Sequence, residues 1–98
     1  MIRHMHFWNL APTEPSKLVV LEILQASFRE MVEKIDGLNY VQVDCDMGGG
    51  THDLGMYAEF ESWTALQNYK THPLHLALKA RIKDSLTDRS CVDLEVPQ

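Results

Sequence analysis

The chain is poor in cysteine and has no long apolar run, and each shortage excludes a class of protein. Cys45 and Cys91 are its only cysteines, and they stand far apart without a CxxC pair. Neither a disulfide framework nor a zinc site is expected, which predicts reduced thiols and a cytoplasmic location. No apolar run approaches bilayer length, and His4 and His6 interrupt any signal-peptide core. A membrane partner is therefore not expected.

Basic residues are also scarce. Lysine and arginine number 9 against 14 aspartate and glutamate residues, so the formal net charge is −5. No basic stripe or run is present, which argues against a nucleic-acid partner and against an anionic membrane surface. The 98 residues suffice for one domain, residues 1–98, with no room for a second. A domain of this size is marginal alone, so dimerisation would be a natural remedy.

Hydrophobic periodicity predicts four strands and two helical regions. Alternating and β-prone runs predict strands over 2–10, 38–46, 53–60 and 89–96. A helix-start cluster at 13–16 precedes apolar residues at helical spacing through 36, and Gly37 is placed to end that helix. A second helix begins at the Ser62 cap, breaks after Tyr69 and resumes with a new helix at Pro73. The order βαββαβ predicts an α+β, ferredoxin-like sandwich with both helices on one face of the sheet.

Alternation divides the strand residues into two faces. We expect the plainly apolar rows to face the helices, namely Met5/Phe7, Val41/Val43, the Leu54 row and the Val92 row. The opposite face would then hold the bulky polar and aromatic residues, which include His4, His6, Trp8, Tyr40, Tyr57, Glu59, Cys91 and Asp93. An exposed face of this kind is typical of a binding surface or an interface.

Two hypotheses follow for that second face. If two such sheets packed together, they would close a barrel whose cavity could bind a small amphipathic or aromatic ligand. Alternatively, the face is a dry homodimer interface with no ligand at all. His4, His6, Trp8 and Tyr57 are the candidate ligand-binding residues of the cavity.

The segment 69–75, YKTHPLH, is the richest in chemical groups. Pro73 suits the first turn of a helix, so His72 is predicted as the N-cap and His75 as a first-turn residue. The positive end of the helix dipole favours a neutral His75 imidazole, which could form an acid/base pair with the Tyr69 phenol. The alternatives are an ordinary helix cap with a surface histidine, or a metal site using His72 and His75. No zinc motif supports the metal, so no metal and no other cofactor are expected.

Three segments carry a resemblance to a known family. The opening Ile2-Arg3-His4, the run YAEFESWTAL at 57–66 and YKTHPLH at 69–75 are similar to the Dabb family, the stress-responsive dimeric α/β barrel domains. The closing strand, DRSCVD at 88–93, is similar too. The resemblance covers nearly the whole chain and implies a ferredoxin-like protomer that forms a homodimeric barrel. Many bacterial members have no assigned activity, and plant members are described as stress-responsive.

One branch of that family, the olivetolic acid cyclase-type polyketide cyclases, implies a sharper function. These enzymes close a linear polyketide acid by intramolecular aldol condensation without a cofactor, using a Tyr and a His in the arrangement Y-x-x-H-P-x-H. The resemblance assigns the catalytic pair to Tyr69 and His75, with His75 abstracting the proton. It also implies pocket roles for His72 and His4, but this chain has Leu54 where that branch has a further pocket histidine. A non-catalytic ligand-binding dimer and a cyclase-like enzyme therefore both stay open.

Overall fold

The computed structural model describes residues 1–12 and 16–97. The elements follow in the order β1 (Ile2–Leu10), α1 (Lys17–Lys34), β2 (Leu38–Cys45), β3 (Leu54–Phe60), α2 (Trp63–Thr71), α3 (Pro73–Ile82) and β4 (Leu86–Glu95). The predicted βαββαβ order is confirmed, with its second helical region split in two. The predicted helix-start residues Thr13, Glu14 and Pro15 lie outside the described residues. No helix within the described ranges is long and apolar enough to cross a membrane.

The four strands form one antiparallel sheet in the order β2-β3-β1-β4. The helices cover one face of this sheet, and helix α1 buries Val20, Leu24, Phe28 and Met31 against it. The predicted apolar stripe of this helix is thereby confirmed as core. We call the side of the sheet beneath the helices the covered face, and the other side the open face.

The face predicted for the β1 side chains is wrong. His4 lies opposite Ala58, His6 opposite Met56 and Trp8 opposite Leu54. Residues directly opposite each other share a face of the sheet, and these partners belong to the buried row of β3. His4, His6 and Trp8 therefore lie on the covered face, whereas Phe7 is 38% exposed on the open face. Alternation identified which residues lie together, but the polarity of the histidines suggested the wrong side.

The face predicted for the Val92 row is also wrong, for the same reason as in β1. Val92 pairs with Met5 on the open face, whereas Asp93 pairs with His4 on the covered face. The predicted grouping of β4 residues with β1 residues is thus right, and only the side is wrong. A β-bulge precedes this row: Phe7 pairs with Ser90 but Asn9 pairs with Thr87, so β4 carries one extra residue, and Asp88 has a φ of 52° there.

The open face is more apolar than expected for an exposed sheet. Phe7, Tyr40, Val92 and Leu94 are between 38% and 49% exposed there. Tyr40 and Tyr57 lie side by side, with ring centroids 6.1 Å apart. Tyr40, Tyr57 and Glu59 lie on this face as predicted, whereas His4, His6, Trp8, Cys91 and Asp93 of the predicted set do not; an interface on this face stays a prediction.

The helical break before Pro73 is confirmed. The Ser62 hydroxyl caps α2 by accepting a hydrogen bond from the Ala65 N–H at 3.1 Å. His72 caps α3, where its Nδ1 accepts from the Leu74 N–H at 3.1 Å. Helix α2 ends at Thr71, two residues beyond the predicted end at Tyr69. A new helix axis thus begins just before His75.

Gly37 provides a test of this packing. Its φ is +82°, and a Cβ added there would lie 2.5 Å from the Ala65 Cβ. Gly48 has a φ of +116° with nothing within 4 Å of such a Cβ, so it is a matched control. We expect Gly48→Ala to lower the free energy of unfolding by about 1 kcal/mol through backbone strain. Gly37→Ala should cost at least about 1 kcal/mol more because it adds a steric clash. Urea denaturation would measure both, and equal losses would contradict the proposed contact.

Candidate functional site

A cavity of about 340 Å³ lies between the covered face and the helices. It is lined by His4, His6, Trp8, Leu24, Phe28, Met56, Tyr69, Lys70, His75, Leu78, Lys79, Ile82, Lys83, Leu86 and Arg89. This cavity lies within one protomer, between its sheet and its helices, and the cavity predicted between two packed sheets stays a prediction. The cavity brings together five of the seven predicted site residues, which are Tyr69, His75, His4, His6 and Trp8.

Tyr69 and His75 form a stacked pair in the cavity wall. Their ring centroids are 4.1 Å apart with an interplanar angle of 26°. Tyr69 is only 2% exposed, and Phe60 supports its ring from the core at a centroid distance of 5.0 Å. Burial raises the pKa of Tyr69 well above its usual value, while the nearby Arg89 lowers it less. The phenol therefore keeps its proton and can act only as a hydrogen-bond or proton donor in the neutral pH range.

His75 is held as a neutral imidazole by its surroundings. Its Nδ1–H donates to the Lys70 carbonyl oxygen at 3.3 Å, which leaves Nε2 as the acceptor. Burial lowers the pKa of His75, and this effect outweighs the opposing hydrogen bond to Lys70. The neutral state was predicted from the helix dipole, whereas the structure adds burial as its larger cause. An acceptor nitrogen beside a protonated phenol has the elements of an acid/base pair.

His4 forms the inner wall of the cavity and is 2% exposed. Its Nδ1–H donates to the Asp93 carboxylate, while its Nε2 is buried without a partner within residues 1–12 and 16–97. The ring lies 6.0 Å from Tyr69 and 4.4 Å from His6, measured between centroids. A buried unpaired polar atom is costly, so a ligand that bonded Nε2 would relieve that cost.

His6 and Trp8 continue the same row toward the cavity entrance. Their ring centroids are 5.2 Å apart in an edge-on arrangement. Burial, followed by the charges of His4 and Arg89, lowers the pKa of His6 to about 3. His6 is therefore neutral at physiological pH and offers one donor and one acceptor nitrogen.

The structure separates Tyr57 and His72 from the cavity. Tyr57 lies on the open face, where its hydroxyl donates to Glu59 Oε2 at 3.0 Å. His72 is occupied as the N-cap of α3. Ligand-binding roles for these two residues stay predictions, and any such role would lie outside this cavity.

Sequence reasoning missed the cationic residues of the site and the Asp93 partner of His4. His75, Lys79 and Lys83 follow each other at intervals of four, a spacing that places them on one helix face. That signal was available in the sequence. Alternation also placed His4 and Asp93 on one face, but their direct contact depends on the strand register, which alternation does not give. Within residues 1–12 and 16–97, no group of three or more His, Cys, Asp or Glu side chains could hold a metal ion.

The chain was compared with known families and structures. The model of the stress-responsive A/B barrel domain family, Dabb, matches residues 2–96. A dimeric protein of unknown function with a ferredoxin-like fold, from Bacteroides fragilis, is 28% identical with a TM-score of 0.85. That alignment covers 97% of this chain and 95% of the other. No curated protein matches the chain.

Two less similar structures support the fold alone. A dimeric ferredoxin-like protein of unknown function from Thermobifida fusca is 24% identical, with a TM-score of 0.82 and coverage of 97% and 90%. A Nitrosomonas europaea protein, described provisionally as an antibiotic biosynthesis monooxygenase, is 9% identical with a TM-score of 0.82. Its alignment covers 98% of both chains. Relatives of this fold thus carry different functional descriptions.

Proposed function

The chain belongs to the Dabb family of stress-responsive α/β barrel domains, and we propose that it is a homodimer that binds a small amphipathic or aromatic ligand in the cavity. The observation that carries this proposal is the unpartnered Nε2 of the buried His4 in the cavity wall. Leu24 and Phe28 of α1 and Leu78 and Ile82 of α3 add apolar surface to the lining. A concave, mainly apolar site with a few converging polar groups is typical of small-molecule pockets.

A thermal-shift comparison tests ligand binding. The panel would contain phenolic acids, β-keto acids and aromatic aldehydes. Leu86 lines the cavity and is half-buried, so Leu86→Trp should fill the cavity entrance. Leu76→Trp is the matched control, because Leu76 is 48% exposed on α3 and outside the lining.

We expect at least one compound to raise the melting temperature of the wild type and of Leu76→Trp but not of Leu86→Trp. Ligand at a hundredfold excess over its Kd adds about 2.7 kcal/mol to the free energy of unfolding, which corresponds to several degrees for a chain of this size. Equal shifts in all three proteins would place binding elsewhere. No shift with any compound would contradict a ligand-binding cavity.

The second candidate function is cofactor-free acid/base catalysis of the cyclase type. The specific observation that favours it is the neutral His75 stacked on a protonated Tyr69. In this proposal His75 Nε2 takes a proton from a carbon between two carbonyl groups. The Tyr69 hydroxyl donates a hydrogen bond to the enolate oxygen. The enolate carbon then attacks a second carbonyl carbon of the same molecule, and the alkoxide that forms takes the proton back from the His75 imidazolium. The cavity would supply the folded conformation that this ring closure needs.

A chromogenic proton-transfer reaction tests the base without a known substrate. In 5-nitrobenzisoxazole, removal of the ring C–H by a base breaks the N–O bond and releases a coloured phenolate. We expect His75→Gln to slow this reaction by on the order of a hundredfold, a typical contribution of a general base. His52→Ala is the control, because this histidine lies outside the cavity lining.

The pH dependence of the same reaction gives a second readout. Burial lowers the pKa of His75 below its ordinary value of 6.5. The base is active in its unprotonated form, so the rate should fall to half its maximum at a pH below 6.5. A free imidazole would already be half protonated at 6.5. Equal rates for wild type and His75→Gln would overturn the catalytic role.

The homodimer is supported by the apolar open face and by the dimeric relatives from B. fragilis and T. fusca. We expect the wild type to elute at twice the chain mass in size-exclusion chromatography with light scattering. Leu94→Asp should produce monomer, because it buries a charge in the open face. Leu18→Asp is the matched control, since Leu18 is 70% exposed on α1. A monomeric wild type, or a dimeric Leu94→Asp variant, would contradict this interface.

A further inference from the structure

The cavity is lined by positively charged side chains, although the chain as a whole carries a negative charge. Four of its nine basic residues line the cavity, namely Lys70, Lys79, Lys83 and Arg89. In the part of the chain that the structure describes, none of the acidic residues lines it. The chain carries an excess of acidic residues, with a net charge of −5, so this local reversal of sign is specific to the cavity.

These cations converge without carboxylate partners. Lys79 and Lys83 lie four residues apart, so their side chains share one face at the end of α3, an arrangement that is unfavourable for like charges. Neither lysine forms an ion pair within residues 1–12 and 16–97, and the same holds for Arg89. Lys70 differs, because its Nζ lies over the Trp63 ring at 5.7 Å. Three cations are thus left available to a ligand.

Arg89 reaches the cavity from β4. It alternates with Cys91 and Asp93, which pair with His6 and His4 on the covered face, and it directly follows the Asp88 bulge. Asn9 and Thr87 both donate hydrogen bonds to the Asp88 carboxylate, at 3.1 and 3.2 Å, and so hold the bulge. Among residues 1–12 and 16–97, the guanidinium hydrogen-bonds only to the Cys91 Sγ, at 3.8 Å.

The inner part of the cavity has a different character. Leu24, Phe28 and Leu78 supply apolar surface there. His4, which is 2% exposed, presents its unpartnered Nε2 at the same end. A ligand that satisfies both ends needs an apolar body with a polar group at its inner tip and an anionic group at the entrance.

We propose that the cavity takes a monoanionic organic acid with an aromatic or other apolar body, whose acid group binds between Arg89 and the Lys79–Lys83 pair. This inference rests on the proposed ligand-binding function and adds the charge of the ligand to it. Lys79, Lys83 and Arg89 then all contact one anionic group at the cavity entrance. Ligand binding would thereby also relieve the repulsion between Lys79 and Lys83.

A matched pair of fluorescent probes tests the charge requirement. The anionic probe is 1-anilinonaphthalene-8-sulfonate, and the neutral probe is N-phenyl-1-naphthylamine, which has the same body without the sulfonate. Both become fluorescent in apolar surroundings. Titrations would compare wild type, Arg89→Gln, and the double variant Lys79→Gln/Lys83→Gln. Arg81→Gln is the charge control, because Arg81 lies on the same helix but outside the cavity lining.

We expect the wild type and Arg81→Gln to bind the anionic probe more tightly than the neutral one. Arg89→Gln should weaken binding of the anionic probe by on the order of fivefold, as for one solvent-accessible ion pair. It should leave the affinity for the neutral probe unchanged. The double variant should do the same or more. Added salt should weaken the anionic probe alone, because it screens the entrance charges.

The Leu86→Trp variant distinguishes failure of the charge inference from failure of the cavity proposal. If it abolishes binding of both probes but Arg89→Gln and the double variant behave like Arg81→Gln, the charge inference is overturned and the binding cavity stands. If Leu86→Trp leaves binding of both probes intact, or if neither probe binds the wild type, the cavity proposal fails and the charge inference falls with it.

Discussion

The pairing of β1 with β3 is the constraint on which the site depends. Because side chains alternate along a strand, aligning His4 with Ala58 also places His6 and Trp8 beneath the helices. A slip of one residue would bring Met5 and Phe7 inside and expose the imidazoles. The small Ala58 side chain opposite His4 leaves room for the ring, and Tyr69 can then approach it from α2. The inner polar wall of the cavity follows from this register, and α2 and α3 add the stacked Tyr69 and His75 to it.

Much of the fold was predictable from local patterns. Local sequence determines the apolar stripe of α1, the end of that helix near Gly37 and the break before Pro73. The same holds for the association of His75 with Tyr69, since both lie in one seven-residue segment. What failed was the choice between the two faces of the sheet. An alternating pattern shows which residues share a face of the sheet, but not which of the two faces is buried. The polarity of the histidines suggested the exposed face, and that choice is wrong here.

The cationic entrance could not be predicted for a different reason. Arg89 reaches it from β4, while Lys79 and Lys83 reach it from α3, so only the tertiary fold brings them together. The whole-chain charge even concealed the feature, because the acidic excess lies elsewhere on the surface. Neutral His6 and His75 and a protonated Tyr69 inside a positive entrance form a consistent arrangement. Burial keeps these three groups uncharged, and the lysine and arginine charges stay where water can solvate them.

The bulge at Asp88 has a consequence for how the molecule can vary. The extra residue shifts the alternation of β4 and divides the strand into two segments. Before the bulge the even-numbered residues lie on the covered face, and after the bulge the odd-numbered residues do. The segment before it contributes Leu86 to the cavity, and the segment after it contributes Leu94 to the open face. Each segment can therefore change its residues without altering the orientation of the other. Residues of the first segment that line the cavity can thus vary while the open-face residues of the second segment stay the same.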